Sequence, residues 1–127
     1  YSQSLMASIP ESLQVISSDY NRRIQIFDYI ANKVVSQAEG GYTFCIGNNG
    51  KRIIAINDQR INVFETKGLF LLQSIETEHF LECVHCIGET VLFGGEDSEL
   101  MLWKIGSDRM RAIQGGTDKG VMKILGW

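Results

Sequence analysis

The chain has 127 residues, of which 44% are apolar and 21% are charged, and its net charge is −3. A chain of this length can bury a core as one domain, and its composition excludes intrinsic disorder. The small negative charge argues against a nucleic-acid-binding surface, and the longest apolar run, at 68–72, is far shorter than the roughly 20 residues of a membrane-spanning helix.

The three cysteines cannot all pair with one another, because their number is odd. Small secreted domains normally carry many paired cysteines. We therefore predict reduced thiols and an intracellular location, in the cytoplasm or the nucleus.

Four short apolar segments follow one another in the first part of the chain. They lie at 4–9, 13–17, 24–29 and 33–37. Apolar, often β-branched residues alternate with polar ones, most clearly in the third segment, as expected of half-buried strands. The pattern predicts four antiparallel strands joined by short turns.

The same set of four segments returns twice. The later copies lie at 42–47, 52–57, 61–66 and 69–75, and at 81–88, 90–95, 100–105 and 110–114. The third segments read IQIFDY, INVFET and LMLWKI, with a large aromatic in fourth place, spaced 37 and 39 residues apart: Phe27, Phe64 and Trp103. A closing apolar stretch at 120–125 predicts the first strand of a further set.

The first segments of the later copies also share a short motif. Cys45 and Cys86 each precede Ile-Gly and are 41 residues apart, which aligns the two cysteines with one another. After the first of them, Asn49-Gly50 predicts a tight hairpin turn, because both residues accept a positive φ. The longer turn after Gly47 explains why the spacing falls from 41 to 39 at the aromatic residues.

Tandem units of four antiparallel strands in about 40 residues are typical of β-propeller blades. The sequence therefore predicts an all-β fold, an arc of three four-stranded antiparallel blades at about 4–37, 42–75 and 81–114, with the first strand of a fourth blade at 120–125. Propellers close with about four to eight blades. We expect this arc to belong to a larger propeller, with closure by a second copy or a partner subunit as the alternative.

Residues around the last aromatic strand resemble a known family. Residues 94–104 read GGEDSELMLWK, in which Asp97 stands six residues before Trp103, and Asp58 precedes Phe64 by the same distance. This spacing is similar to the end of a blade in the WD40-repeat β-propeller family. Together with the repeated strands and turns, the resemblance covers essentially the whole chain.

The chain also departs from the family pattern. The first set has Asn21 six residues before Phe27, with Asp19 two residues earlier. The Gly-His dipeptide of the family is replaced by Gly40-Gly41, Glu78-His79 and Gly115-Gly116, and no copy ends in Trp-Asp.

Several residues have an expected structural role. The three aromatic residues of the third strands are expected to pack between neighbouring blades: Phe27, Phe64 and Trp103. Asp58 and Asp97 are expected to accept backbone N–H bonds and hold the turn before the third strand. The resemblance further implies that His79 donates a hydrogen bond to Asp97.

The motif Cys83-Val84-His85-Cys86 is the strongest candidate for metal or redox chemistry. Cys45 and His79 could complete a set of four ligands. Residues i and i+3 of an extended strand point to opposite faces, however, so Cys83 and Cys86 could not hold one ion without a break in the strand. We therefore predict packed cysteines and no metal.

Two further motifs give no catalytic site. Residues 47–51 read GNNGK, which lacks the spacing, the following Ser or Thr and the following helix of a phosphate-binding loop. Glu96 and Glu99 flank Asp97, but no histidine or serine nucleophile accompanies them at a readable spacing. The sequence therefore predicts no enzyme and no cofactor.

The loops before the third strands and those between successive sets share one rim in WD40-like propellers, and that rim is the usual docking face. Asn21-Arg22-Arg23 in the first of these loops is either a solvated turn or a contact for an anion or a peptide. The candidate partner-binding residues of the rim are Tyr20, Arg22, Arg60, Glu78, Phe80 and Glu99, with Asp118 and Lys119 beside them.

The mixed charge and the two aromatic residues of this rim favour a protein or peptide partner, whereas a phosphate backbone would need more positive charge. We predict a non-catalytic scaffold that mediates protein–protein interactions within a larger assembly and touches neither a membrane nor nucleic acid. The alternative is a propeller that supports a catalytic partner, as a substrate-recruiting subunit or an RNA-processing or ribosome-assembly subunit.

Overall fold

The computed structural model describes residues 5–10, 12–19, 21–77, 79–95, 100–107 and 110–112. Twelve strands in these residues form three separate four-stranded sheets, in which every hydrogen-bonded pair of strands is antiparallel and follows chain order. The predicted all-β architecture of three four-stranded sheets is therefore confirmed. The predicted strand at 120–125 lies outside the described residues.

The strand bounds differ from the predicted segments by at most two residues at either end, and those of β6 coincide with the prediction. The first sheet contains β1 Leu5–Ser8, β2 Gln14–Ser18, β3 Arg23–Asp28 and β4 Lys33–Glu39. The second contains β5 Thr43–Gly47, β6 Arg52–Asn57, β7 Arg60–Glu65 and β8 Phe70–Glu76, with a 3-10 turn at Lys67–Leu69 before its last strand. The third contains β9 Cys83–Ile87, β10 Thr90–Gly94, β11 Met101–Lys104 and β12 Met110–Ala112.

The repeated aromatic residue has the same place in the ladder of each sheet. Phe27, Phe64 and Trp103 lie opposite Val15, Ile53 and Val91 of the preceding strand. In the first two sheets the register with the last strand shifts at the aromatic residue, as a β-bulge does. The three sheets therefore repeat one local geometry.

The sheets stack face to face through two apolar cores. Ile16, Ile24 and Ile26 of the first sheet meet Ile53 and Phe64 of the second. The opposite face of the second sheet meets the third sheet in a core of eight buried residues: Ile54, Ile56, Ile61, Val63, Leu81, Val91, Phe93 and Trp103. Since successive side chains of a strand point to opposite faces, burial on both faces explains the continuous apolar run of β6.

Phe27 has different surroundings from Phe64 and Trp103. Phe64 and Trp103 each face the sheet that comes before their own in the chain, and both are almost fully buried. Phe27 follows Ile26, which faces the second sheet, so Phe27 lies on the opposite face and is only half-buried. The expectation that Phe27 packs between two blades is not met among the described residues, because no sheet among them precedes the first.

The Cys-Ile-Gly repeat is offset by one residue from the structural repeat. In the second sheet, Ile46 is paired with Ile53, and Ile53 is paired with Phe64 on the following strand. In the third sheet, Cys86 is paired with Val91, and Val91 is paired with Trp103. Cys86 is therefore equivalent to Ile46 and not to Cys45. A shift of one residue moves a side chain to the other face of a strand, so Cys45 and Cys86 point in opposite directions relative to their own sheets.

The turn after β5 is centred one residue earlier than predicted. Asn48 and Asn49 have positive φ angles of 53° and 54°, and the Gly50 N–H donates to the Gly47 carbonyl over 3.1 Å. The central pair is thus Asn48-Asn49 and not Asn49-Gly50. Gly50 also has a positive φ, of 88°, and lies against Pro10 in the connection between β1 and β2, where a Cβ atom would be 3.1 Å from the proline Cδ.

In the part of the chain that the structure describes, no helix has the length and apolar character needed to cross a membrane.

Candidate functional site

Two kinds of loop meet at one end of the stacked sheets. The N–H groups of Gly40 and Gly41, which lead into the second sheet, donate to the Arg22 carbonyl over 3.0 and 3.2 Å. The Leu81 N–H, which leads into the third sheet, donates to the Asp58 carbonyl over 2.8 Å. We call this surface the rim and define it by residues 19, 21–22, 40–42, 57–60, 76–77 and 79–82.

Arg22 connects the first sheet to the second at the rim. Its Nη1 donates to Asn57 Oδ1 and to Asp58 Oδ2, each over 2.7 Å, and its guanidinium lies 5.4 Å from the centre of the Tyr42 ring. The side chains of Arg22 and Asp58 remain 44% and 47% exposed, so the ion pair contributes only about 0–1 kcal/mol. The contact nevertheless fixes the position of the candidate partner-binding residue Arg22.

Asp58 makes a different contact from the one predicted. Its carboxylate accepts from Arg22 of the neighbouring sheet, whereas the expected acceptance of backbone N–H groups is made in the first sheet by Asp19. Asp19 Oδ1 accepts from the N–H groups of Asn21 and Arg23, over 2.9 and 3.1 Å. The spacing to the aromatic residue pointed to Asn21, but an aspartate can bond the backbone two residues ahead, and that local preference identifies Asp19.

Tyr42 was not among the predicted site residues, yet it joins three segments of the rim. Its hydroxyl donates to the Leu81 carbonyl and accepts from the Asp58 N–H, which lies 3.1 Å away. Its ring lies beneath the Arg22 guanidinium. Burial raises the pKa of the Tyr42 hydroxyl above its ordinary value of 10.0. The sequence signal that could have identified Tyr42 is its position directly after Gly40-Gly41, between the first two predicted sets of strands.

Replacing Tyr42 by phenylalanine is expected to lower the free energy of unfolding by about 1–3 kcal/mol, because the Asp58 N–H and the Leu81 carbonyl lose their partner. The raised pKa means that the folded chain holds this proton more tightly than the unfolded chain does. That stabilisation is complete below pH 10.0 and is lost as the pH rises through the folded pKa. Denaturant unfolding at several pH values measures both effects.

Tyr29→Phe is the matched control, because Tyr29 is 53% exposed in the turn after β3. We expect this variant to keep both the stability and the alkaline loss of stability of the parent chain. An equal effect of the two substitutions would contradict the role of the Tyr42 hydroxyl.

The remaining predicted rim residues fall into two groups. Arg60 is exposed, its Nη1 donates to Ser74 Oγ over 3.0 Å, and its Nη2 lies 3.8 Å from Glu76. Phe80 is 56% exposed, and the neighbouring His79 is exposed and accepts a bond from the Thr77 hydroxyl through its carbonyl. The others lie outside the described residues: Tyr20, Glu78, Asp97, Glu99, Asp118 and Lys119. The expected bond from His79 to Asp97 therefore stays a prediction.

The cysteines lie on the first strands of two sheets. Cys86 and Val84 of β9 pack against the core between the second and third sheets, as does Cys45 of β5. Cys83 lies three residues before Cys86, and its thiol is 3.7 Å from the Gly94 carbonyl. Among the described residues, no group of three or more histidine, cysteine, aspartate or glutamate side chains has an arrangement that could hold a metal ion.

Comparison with known proteins gives a structural likeness only. No family model matches the sequence, and no curated protein matches it. A crystal structure of RRP9 WD40 repeats superposes with a TM-score of 0.79 and 11% identity, and a structure of U3-55K with a TM-score of 0.78 and 10% identity. Each likeness covers 93% of this chain and 40% of the solved chain.

The two likenesses agree with the repeated ladder geometry and the inter-sheet cores. Identities of 10–11% are too low to carry a function from either protein, but TM-scores near 0.8 over nearly the whole chain show a shared arrangement of sheets. The three sheets of this chain therefore have the fold of WD40-repeat β-propeller blades.

Proposed function

We propose that this chain is a non-catalytic WD40-like scaffold that binds other proteins or peptides through the rim. The observation that carries the proposal is the hydrogen bonding of the rim itself. Turns of the first two sheets and the loops that lead into the second and third sheets are tied to one another by the Gly40, Gly41 and Leu81 N–H groups and by the Tyr42 hydroxyl. A surface ordered in this way loses little conformational entropy when a partner binds.

The exposed side chains of the rim support a protein partner. Phe80 offers a large apolar ring, and Arg60 offers a guanidinium that remains about half exposed beside Glu76. Aromatic residues and arginine are enriched among the residues that dominate protein–protein binding energy. Other polar side chains of the rim have a structural role, since Arg22 and Asp58 join two neighbouring sheets and Asp19 bonds the backbone of its own turn, which favours a binding surface over a catalytic one.

The outer faces of the stack support a larger propeller. Phe27 and Val15 are half-buried on the face of the first sheet that no other described sheet covers, beside Met6 and Leu13, which are 72% and 53% exposed. Phe27 has the ladder position from which Phe64 inserts into the adjacent sheet. Further blades, from the same polypeptide, a second copy or a partner subunit, would cover this face. The 40% coverage of the solved chains supports a propeller with blades beyond these three.

The partner proposal is tested by affinity capture with the tagged chain. Substitution of Phe80 and Arg60 together by alanine is expected to weaken binding of the captured partner by at least about tenfold, since residues of this type are common hot spots. The control is Lys51→Ala with Lys67→Ala, because β6 begins after Lys51 and β7 ends before Lys67, at the end of the sheet opposite the rim. Equal binding by both double variants would refute the rim as the docking face.

The same rim would also serve a propeller that supports a catalytic partner, either as a substrate-recruiting subunit or as a subunit of an RNA-processing or ribosome-assembly complex. The identity of the captured protein separates these cases from a scaffold of non-catalytic subunits.

A further inference from the structure

We propose that Cys45 and Cys86 form a modification site at which a hydroperoxide, such as hydrogen peroxide, oxidises the two thiols to a disulfide that joins the second and third sheets. The site lies in the interface between β5 and β9, away from the rim loops.

The first argument is the position of the two thiols. Cys45 points from the second sheet towards the third and Cys86 from the third towards the second, because the Cys-Ile-Gly repeat is offset by one residue from the structural repeat. Each thiol shifts the pKa of the other, as groups that lie close together do. Both thiols therefore lie in the interface between the second and third sheets, where a disulfide would join β5 to β9.

The second argument is the space beside Cys86. A Cβ atom on Gly47 would overlap Cys86 Sγ and would lie 3.2 Å from Cys86 Cβ. The missing side chain at Gly47 thus allows Cys86 to approach β5 closely. Any larger residue at this position would push the thiol away from Cys45.

The third argument is the difference between the two thiols. The hydrogen bond with Cys86 and then burial raise the pKa of Cys45 well above its ordinary value. The interaction with Cys45 lowers the pKa of Cys86, while burial and the Glu89 carboxylate act in the opposite direction. The reduced Cys86 thiol also donates to the Gly88 carbonyl over 3.3 Å. Cys86, the less buried of the two, is therefore the thiol that reacts first, since the thiolate is the nucleophile.

The chemistry proceeds in two steps. The Cys86 thiolate attacks one oxygen of hydrogen peroxide, the O–O bond breaks, and the departing hydroxide takes a proton to become water. The product is a sulfenic acid, in which the sulfur has lost two electrons to the peroxide. Cys45 then attacks this sulfur, the S–O bond breaks as the S–S bond forms, and the leaving hydroxide combines with the Cys45 proton as a second water.

Peptide mapping after peroxide treatment tests the site. Trypsin is expected to release Cys45 in peptide 34–51 and both Cys83 and Cys86 in peptide 68–104. Without reduction, the treated chain should yield these two peptides joined and lighter by two hydrogen atoms. Cys83→Ser should keep the joined product in full, because Cys83 is not part of the pair.

Two further variants test the order of reaction. Cys45→Ser should leave a sulfenic acid on Cys86 that dimedone traps, and Cys86→Ser should leave Cys45 reduced at the same peroxide concentration. Circular dichroism before treatment shows that each variant is folded. The proposal is overturned if the folded Cys83→Ser chain forms no joined peptide, or if the disulfide connects Cys83 to Cys86 instead. Oxidation of Cys45 in the Cys86→Ser chain would overturn the assignment of Cys86 as the reacting thiol.

Discussion

Replacement of Trp103 by alanine is expected to lower the free energy of unfolding by about 3–5 kcal/mol. Trp103 is 1% exposed and is the largest side chain in the core between the second and third sheets. Its indole N–H also donates to the Ser107 carbonyl over 2.9 Å, so truncation removes a hydrogen bond as well as apolar contacts. Denaturant unfolding measures the loss, with far-UV circular dichroism as the signal because tryptophan fluorescence changes with the substitution itself.

Phe27→Ala is the matched control for this substitution, because Phe27 has the same ladder position and is only half-buried. In the 127-residue chain, Phe27→Ala should lower the free energy of unfolding clearly less than Trp103→Ala does, because the half-buried ring loses fewer apolar contacts. Phe64, which is 2% exposed, should behave like Trp103. Equal losses for Phe27 and Trp103 would contradict the view that each aromatic residue is buried by the sheet before its own.

Replacement of Gly41 by alanine is expected to cost about 3 kcal/mol or more, which is large for the addition of one methyl group. The Cβ atom would overlap the Ile56 carbonyl oxygen, and this carbonyl already accepts the Tyr42 N–H over 3.0 Å. Gly41 also has a φ of 155°, in a region that side chains other than glycine rarely adopt. The backbone between the first two sheets would have to shift, and thermal unfolding would record the change.

Gly88→Ala is the control that separates the steric overlap at Gly41 from the effect of a positive φ on stability. Gly88 has a φ of 61° but nothing within 4 Å of a Cβ atom. Its substitution should therefore carry only the left-handed penalty of about 1–2 kcal/mol. A Gly41→Ala variant as stable as Gly88→Ala would show that the loop between the sheets can move without loss.

The strands could be predicted from the sequence because their signal is local. Alternating apolar residues and the aromatic residue in fourth place define β3, β7 and β11 to within one residue, and the tandem spacing defines the unit of four strands. These features depend on residues that are close in sequence, and the comparison with solved WD40-repeat structures agrees with the architecture.

The contacts between sheets could not be predicted in the same way. The pairing of Arg22 with Asp58 depends on how the turns of two neighbouring sheets meet. The placement of Cys45 and Cys86 in one interface depends on which face of its strand each side chain takes, and a shift of one residue reverses that face. The Cys-Ile-Gly motif aligned the two cysteines as equivalents, whereas the ladder shows that Cys86 corresponds to Ile46. The acceptance of backbone N–H groups that was expected of Asp58 is made by Asp19, in the turn of the first sheet.

Burial of the second sheet on both faces makes its side chains serve two interfaces at once. In a stack where each unit contacts only its neighbours, an end unit can open while the others keep their contacts, but a unit in the middle cannot. The four fully buried residues at 53–56 alternate between the two cores, so damage to β6 weakens the hold on both flanking sheets. Among the three described sheets, the second is accordingly the one whose unfolding would remove a packing partner from both of the others.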